Sequence, residues 1–153
     1  MIRIDIPYRG VLELEHAVFD INGTLAIDGV PVPGVAERLR QLATRLSLHA
    51  LTAGTHGNMQ EIERALGLPL RMIGRGDEKQ RFVEQLGPAQ VIAFGNGMND
   101  VGMLRVAAVG VALLGAEGLA TPALQAADVV VPGPVEGLDL LLHPKRLIAT
   151  LRG

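Results

Sequence analysis

Ile2, Ile4 and Ile6 alternate with Arg3 and Asp5, the two-residue period of a half-buried strand. Pro7-Tyr8-Arg9-Gly10 reads as a turn, and Val11, Leu12 and Leu14 begin a second strand, so a hairpin at a sheet edge is predicted. The apolar run Ala17 to Phe19 forms the next strand and ends on Asp20, because Val and Phe favour strands and Asn22-Gly23 breaks one. Residues 26–34 carry an Asp28-Gly29 turn signal between short apolar pieces and predict a small flap. After Pro33-Gly34, helical spacing puts Val35, Leu39, Leu42 and Leu46 on one face.

The alternation continues. Leu48 to Thr52 is a strand closed by Gly54 and Gly57, and a helix through Ile62, Ala65 and Leu66 stops at Gly67 and Pro69. Leu70 to Ile73 is a short strand. Asp77 is the expected N-cap of a helix whose buried face is Phe82, Val83 and Leu86. Val91 to Phe94 is a continuous apolar strand running into Gly95-Asn96-Gly97, and Asn99-Asp100 opens a helix through Met103, Leu104 and Ala107. A strand at Val109 to Leu114, a helix near 118–127, a strand at Val129 to Val131 and one or two terminal helices complete the chain. Strand and helix alternate without a repeat or a linker, so residues 1–153 read as one α/β domain, a parallel sheet with helices on both faces.

Composition narrows the function classes. Aromatics are 3% of the chain, so Leu, Val, Ile and Ala must build the core, as suits parallel strands buried on both faces. A net charge of −2 gives no basic footprint for nucleic acid. Cysteine is absent, which removes disulfides and thiolate metal sites. No apolar run is long enough to span a membrane, and MIRIDIPYRG lacks the apolar centre of an export signal. A cytoplasmic location is the expectation.

Polar residues collect at the strand ends: Asp20, Thr52 and the group Asn96, Asn99 and Asp100, with Lys79 in the helix between Thr52 and that group. Right-handed crossovers bring these ends to one edge. A carboxylate, a hydroxyl, an ammonium and an amide/carboxylate cluster suit phosphoryl transfer to Asp20, with Lys and Thr on the non-bridging oxygens. Mg²⁺ needs only one or two protein carboxylates beside phosphate and water, and Asp20 and Asp100 can supply them.

These stretches resemble the four motifs of the haloacid dehalogenase superfamily, in the family's order. Phe19-Asp20-Ile21-Asn22-Gly23-Thr24-Leu25 resembles the first, usually DxDGT; Leu51-Thr52-Ala53 the second; Lys79 the third; and Gly95 to Asp100, GNGMND, the fourth, usually GDGxND. The likeness covers residues 18–100 and is nearest to soluble relatives of the phosphorylation domain of P-type transport ATPases. It implies a three-layer Rossmann-like fold and a Mg²⁺-dependent phosphatase with Asp20 as nucleophile. Thr52 and Lys79 would bind phosphate together with Gly23, Thr24, Ala53 and Asn99. Asp20, the backbone carbonyl of Asn22, Asn96 and Asp100 would hold the metal. With only a flap after the first motif, the protein is expected to be capless. Its open site then takes a bulky phosphorylated substrate, small molecule or macromolecule, or is covered by a neighbouring subunit of a homo-oligomer.

Two departures bear on rate. Asn22 stands where the family's acid/base Asp sits, and its amide cannot exchange a proton in that range; such catalysis is typically worth about 10²–10⁴-fold, so slow turnover is expected. Asn96 replaces a metal-binding Asp with a neutral oxygen, so weaker Mg²⁺ affinity follows. His56 is a candidate replacement acid, whereas His16 and His49 read as structural. The plainer readings are that Asp20 is an Asx-turn residue, Lys79 a helix-surface lysine, and Asn99 and Asp100 an N-cap. A phosphate-responsive regulatory domain without turnover is the competing function.

Overall fold

The computed structural model describes residues 1–54 and 57–153. Its centre is a six-stranded parallel sheet in the order β10-β9-β8-β3-β6-β7, formed by β3 (His16–Asp20), β6 (Ser47–Thr52), β7 (Leu70–Met72), β8 (Val91–Gly95), β9 (Val109–Leu113) and β10 (Val129–Val131). β3 lies between β6 and β8, with Ala17 opposite Leu48 on one side and Ile92 on the other. From β3 the chain runs outward through β6 and β7, then returns to β8 and runs the other way. Asp20 therefore ends the strand at the point where the order reverses, where open α/β sheets place their ligands.

Period-two alternation decides which face each side chain enters. Ala17 and Phe19 point into one apolar layer and Val18 into the other, all fully buried. The first layer takes Val35, Leu39 and Leu42 of α1 (Val35–Leu42), Ile62 and Leu66 of α2 (Met59–Leu66), and Leu138, Leu141 and Leu147 of α6 (Pro134–Leu142) and α7 (Pro144–Leu151). Within it Phe19 and Phe94 stack at 4.9 Å between ring centroids. The second layer takes Val83 of α3 (Gly76–Leu86), Met103 and Leu104 of α4 (Val101–Val106), and Ala123 of α5 (Thr121–Ala126). This three-layer arrangement matches the fold class expected from the alternation.

Three local features differ from the pattern-based expectation. The N-terminal hairpin of β1 (Ile2–Ile6) and β2 (Gly10–Leu14) forms, with Ile2, Ile4 and Ile6 buried, but it is a separate two-stranded sheet and does not extend the edge of the large one. Its turn is held by Arg9, which pairs at 3.1 Å with Asp128, while Asp128 also accepts the Gly110 amide at 2.8 Å. Asp77 is not an N-cap: α3 starts at Gly76 with Arg75 in the cap position, and the Asp77 carboxylate is drawn to Arg75 and Arg81. Asn99 and Asp100 do not cap α4 with their side chains either. They lie in a single 3₁₀ turn, Met98–Asp100, where the Asp100 carboxylate accepts the Gly97 amide and Asn99 donates to the Gly74 carbonyl.

His16 and His49 are neighbours on β3 and β6, and His16 Nδ1 lies 3.2 Å from His49 Nε2. Burial first, then His16 and the Arg71 guanidinium, hold the His49 imidazole down at about 4. The unfolded chain binds that proton near 6.5, so this histidine's contribution to stability is full above 6.5 and is lost as pH falls toward 4. Urea melts of wild type and His49→Gln at pH 7 and pH 5 are expected to show a smaller acid loss in the variant, with equal losses telling against a histidine held neutral.

Candidate functional site

At the carboxyl edge of the sheet three charged side chains are buried together. Lys79 Nζ donates to Asp20 Oδ1 and to Asp100 Oδ1, each at 2.8 Å, and its side chain and that of Asp100 are wholly inaccessible. Helix α3 delivers the lysine because position 79 is one turn before Val83 on the same face, and these are its two buried residues. The helix-surface reading of Lys79 is thereby corrected: a desolvated ammonium is stable there because two carboxylates flank it.

One ammonium serves two carboxylates, which leaves an excess negative charge. Burial, and then the charge of Asp100, push the Asp20 carboxyl up to about 7, against the opposing pull of Lys79 and a hydrogen bond from the Ile21 amide. Burial opposes the charge on Lys79, but Asp100 and Asp20 more than offset it and hold the ammonium above its ordinary value.

Asp100 also shapes its own loop. Its Oδ2 accepts the amides of Asn96, at 3.0 Å, and Gly97, at 2.9 Å. The loop can close so tightly only because residue 95 is glycine: a Cβ there would lie 2.5 Å from the Asp100 carboxyl carbon. Gly23 plays the matching part in the first motif. It has φ +82°, and a Cβ on it would lie 2.4 Å from the Asn96 amide nitrogen. The Asn96 nitrogen donates to the Gly118 carbonyl at 3.0 Å. Thr24 is buried with its hydroxyl 3.4 Å from Asp20 Oδ2, a long contact.

The remaining predicted residues surround this centre. Thr52 is buried at the end of β6, beside β3, and its hydroxyl accepts the Gly54 amide at 3.1 Å. Ala53 follows it and packs against Gly74, whose Cβ would fall 2.7 Å from the Ala53 Cα. Asn99 donates its amide to the Gly74 carbonyl at 2.8 Å, tying the fourth-motif loop to the start of α3. Asn22 lies beside Ala26 in an isolated bridge. His56 lies outside the described residues.

The donor set suits a hard cation: buried carboxylates with excess negative charge, and amide and backbone oxygens nearby. Among the described residues no group of three or more His, Cys, Asp or Glu side chains could hold a metal, so a cation here relies on few charged ligands.

A family model for haloacid dehalogenase-like hydrolases matches residues 76–132, the span from the start of α3 to just beyond β10. The uncharacterised protein MJ0073 of Methanocaldococcus jannaschii is 41% identical over 63 residues, which are 41% of this chain and 68% of that protein. The chain belongs to the haloacid dehalogenase superfamily of hydrolases. Among solved structures of similar fold is 3-deoxy-D-manno-octulosonate 8-phosphate phosphatase from Moraxella catarrhalis in complex with magnesium, phosphate and KDO. It has TM-score 0.65 and 16% identity, over 91% of this chain and 94% of that one. The cobalt-bound deoxy-D-mannose-octulosonate 8-phosphate phosphatase of Haemophilus influenzae matches with TM-score 0.70 and 15% identity, over 88% and 90%. At these identities the likeness is one of fold. As a haloacid dehalogenase-type protein the chain is capless among the described residues: β3 leads through the flap strands β4 (Ala26–Ile27) and β5 (Val30–Pro31) to α1, and one helix and one short strand are described between β6 and α3.

Shared charge gives this site a measurable signature. Because the folded carboxyl of Asp20 sits near 7 against an ordinary 3.8, its contribution to stability is full below 3.8 and is lost as pH rises through 7. Asp20→Asn is therefore expected to raise the melting temperature of metal-free protein at pH 8, with the gain shrinking below pH 7. Lys79→Met should do the opposite at pH 8, by about 3–5 kcal/mol for an orphaned buried charge. Calorimetric scans at pH 8 and pH 5.5 read both, and an Asp20→Asn variant less stable than wild type at pH 8 would contradict the shared-charge account.

Proposed function

We propose that this protein is a magnesium-dependent phosphohydrolase acting through an aspartyl-phosphate on Asp20. The observation that carries the proposal is the buried Asp20–Lys79–Asp100 group at the reversal point of the sheet. Support for a phosphorylated small molecule as substrate comes from the similar sugar-phosphate phosphatases.

In the first step an Asp20 carboxylate oxygen attacks phosphorus. The bond from phosphorus to the leaving-group oxygen breaks, and its electron pair departs on that oxygen. Lys79, the Thr52 hydroxyl and the loop around Gly23, Thr24 and Ala53 hold the non-bridging oxygens, with Asn99 fixing the loop that faces them. Mg²⁺, held by Asp20, the Asn22 carbonyl, Asn96 and Asp100, would neutralise phosphoryl charge when bound. In the second step a water oxygen attacks phosphorus, the P–O bond to Asp20 breaks with its electron pair returning to the Asp20 carboxylate, and phosphate leaves carrying the water's protons.

Asn22 limits both steps. It cannot protonate the departing oxygen or take a proton from water, so the leaving oxygen departs as an anion. Substrates whose leaving group is a stable anion, such as aryl or acyl phosphates, are therefore favoured over alkyl phosphates. One observation favours a second reading: the same substitution prolongs any phosphoenzyme, as suits a phosphate-responsive regulatory domain.

Phosphate release from para-nitrophenyl phosphate and from glycerol phosphate, with Mg²⁺, separates these readings. Sustained release from the aryl ester, abolished in Asp20→Asn, is expected, with the alkyl ester slower by about 10²-fold or more for want of a general acid. Asn22→Asp should narrow that gap. Equal rates on the two esters would show that another group supplies the proton, and one turnover followed by arrest would favour the regulatory domain.

A further inference from the structure

The flap is too small to hold itself in place. Its strands are two residues each and are joined by Asp28 (φ 50°) and Gly29 (φ 76°), the positive-φ pair of a type I′ turn. A two-stranded hairpin of this kind is marginal in water. Two side chains from opposite sides of the site reach its tip. Asn58, just ahead of α2, donates Nδ2 to the Gly29 carbonyl at 2.8 Å. Glu117, in the loop after β9, accepts the Asp28 amide on Oε2 at 3.1 Å.

Both tethers come from loops that belong to the site. The Asn58 loop follows Thr52 and Ala53. The Glu117 loop accepts the Asn96 side chain on the Gly118 carbonyl, and a Cβ on Gly115 would lie 3.4 Å from the Gly23 carbonyl. At its base the flap is joined to the first motif by the Gly23 amide on the Ala26 carbonyl, at 2.7 Å, and by the Val32 amide on the Leu25 carbonyl, at 2.9 Å. The flap thus spans the carboxyl edge from the β6 loop to the β9 loop, anchored at one end by backbone and at its tip by two side chains.

We infer that Asn58 and Glu117 are flap-positioning residues that clasp the tip from both sides and so set the aperture through which a substrate's leaving group enters. Neither touches the reacting atoms; they act through the flap. With one tether gone the tip can rock about the other, and with both gone it loses both of these side-chain hydrogen bonds. The kinetic side of this inference rests on the phosphohydrolase reading, and the structural side does not.

Hydrogen exchange of the flap, measured with the kinetics of para-nitrophenyl phosphate hydrolysis, tests it. In the double variant Asn58→Ala, Glu117→Ala the amides of Asp28 and Val32 are expected to exchange about tenfold faster or more, as a local opening would produce. KM should rise about fivefold while kcat stays within about twofold, the pattern of lost ground-state positioning. A bulkier aryl phosphate should lose less than the small one. Glu117→Gln keeps an acceptor and should retain most of the protection and the KM. Unchanged exchange in the double variant overturns the clasp, and faster exchange with KM unchanged for both esters overturns its role in substrate entry. If wild type shows no turnover, the phosphohydrolase reading fails separately. The Kd for para-nitrophenyl phosphate by calorimetry then replaces KM, and an unchanged Kd overturns the role in entry just as an unchanged KM would.

Discussion

Two buried carboxylates share one buried ammonium, and the loops at the carboxyl edge of the sheet are arranged around that imbalance. Lys79 reaches the site from the layer containing α3, Asp20 from the central strand, and Asp100 from the loop after β8. The three are desolvated together, so removing any one leaves a buried partner less well compensated. A fold that sought stability alone would not bury a second carboxylate beside the first, because burial and repulsion push Asp20 up to about 7. Under the proposed function the arrangement would receive a cation and a phosphoryl group, at a cost in the stability of the fold.

Close backbone approach joins this centre to the rest of the edge. Gly23 admits the Asn96 side chain, Gly95 admits the Asp100 carboxylate, and Gly74 admits the Ala53 backbone, so the loops interlock at positions where a Cβ would not fit. The flap extends that network outward through Asn58 and Glu117. The loop that carries Glu117 thus meets both the flap tip and the Asn96 side chain, through the Gly118 carbonyl.

Much of this is legible in the residues alone, for reasons that can be named. Strand and helix periods separate cleanly in a chain with few aromatics, and Asp28-Gly29 carries its turn type in its identity because only such residues adopt positive φ readily. The Asn-Gly break that follows Asp20 places it at a strand end. Lys79 is harder: helix-surface lysines are common, yet its spacing from Val83 puts it on the buried face, a signal carried by the residue order itself. Asp77 misleads because a carboxylate near a helix start is a good cap in general, while here Arg75 and Arg81 compete for it. The hairpin is legible as a hairpin but not in its docking, in which Ile2, Ile4, Ile6 and Leu14 enter the first apolar layer and Arg9 pairs with the distant Asp128. Asn58 and Glu117 leave no local signal, since each meets the flap only through the fold.

The central claim is that Asp20 becomes phosphorylated, and chemical trapping tests it most directly. Wild-type protein with Mg²⁺ and acetyl phosphate is quenched in acid, reduced with borohydride and digested, and the peptide spanning residues 18–25 is sequenced by mass spectrometry. The account predicts homoserine at position 20, the reduction product of an aspartyl-phosphate, and none in protein incubated without the phosphate donor. An unmodified Asp20 in protein that nevertheless releases phosphate would contradict it.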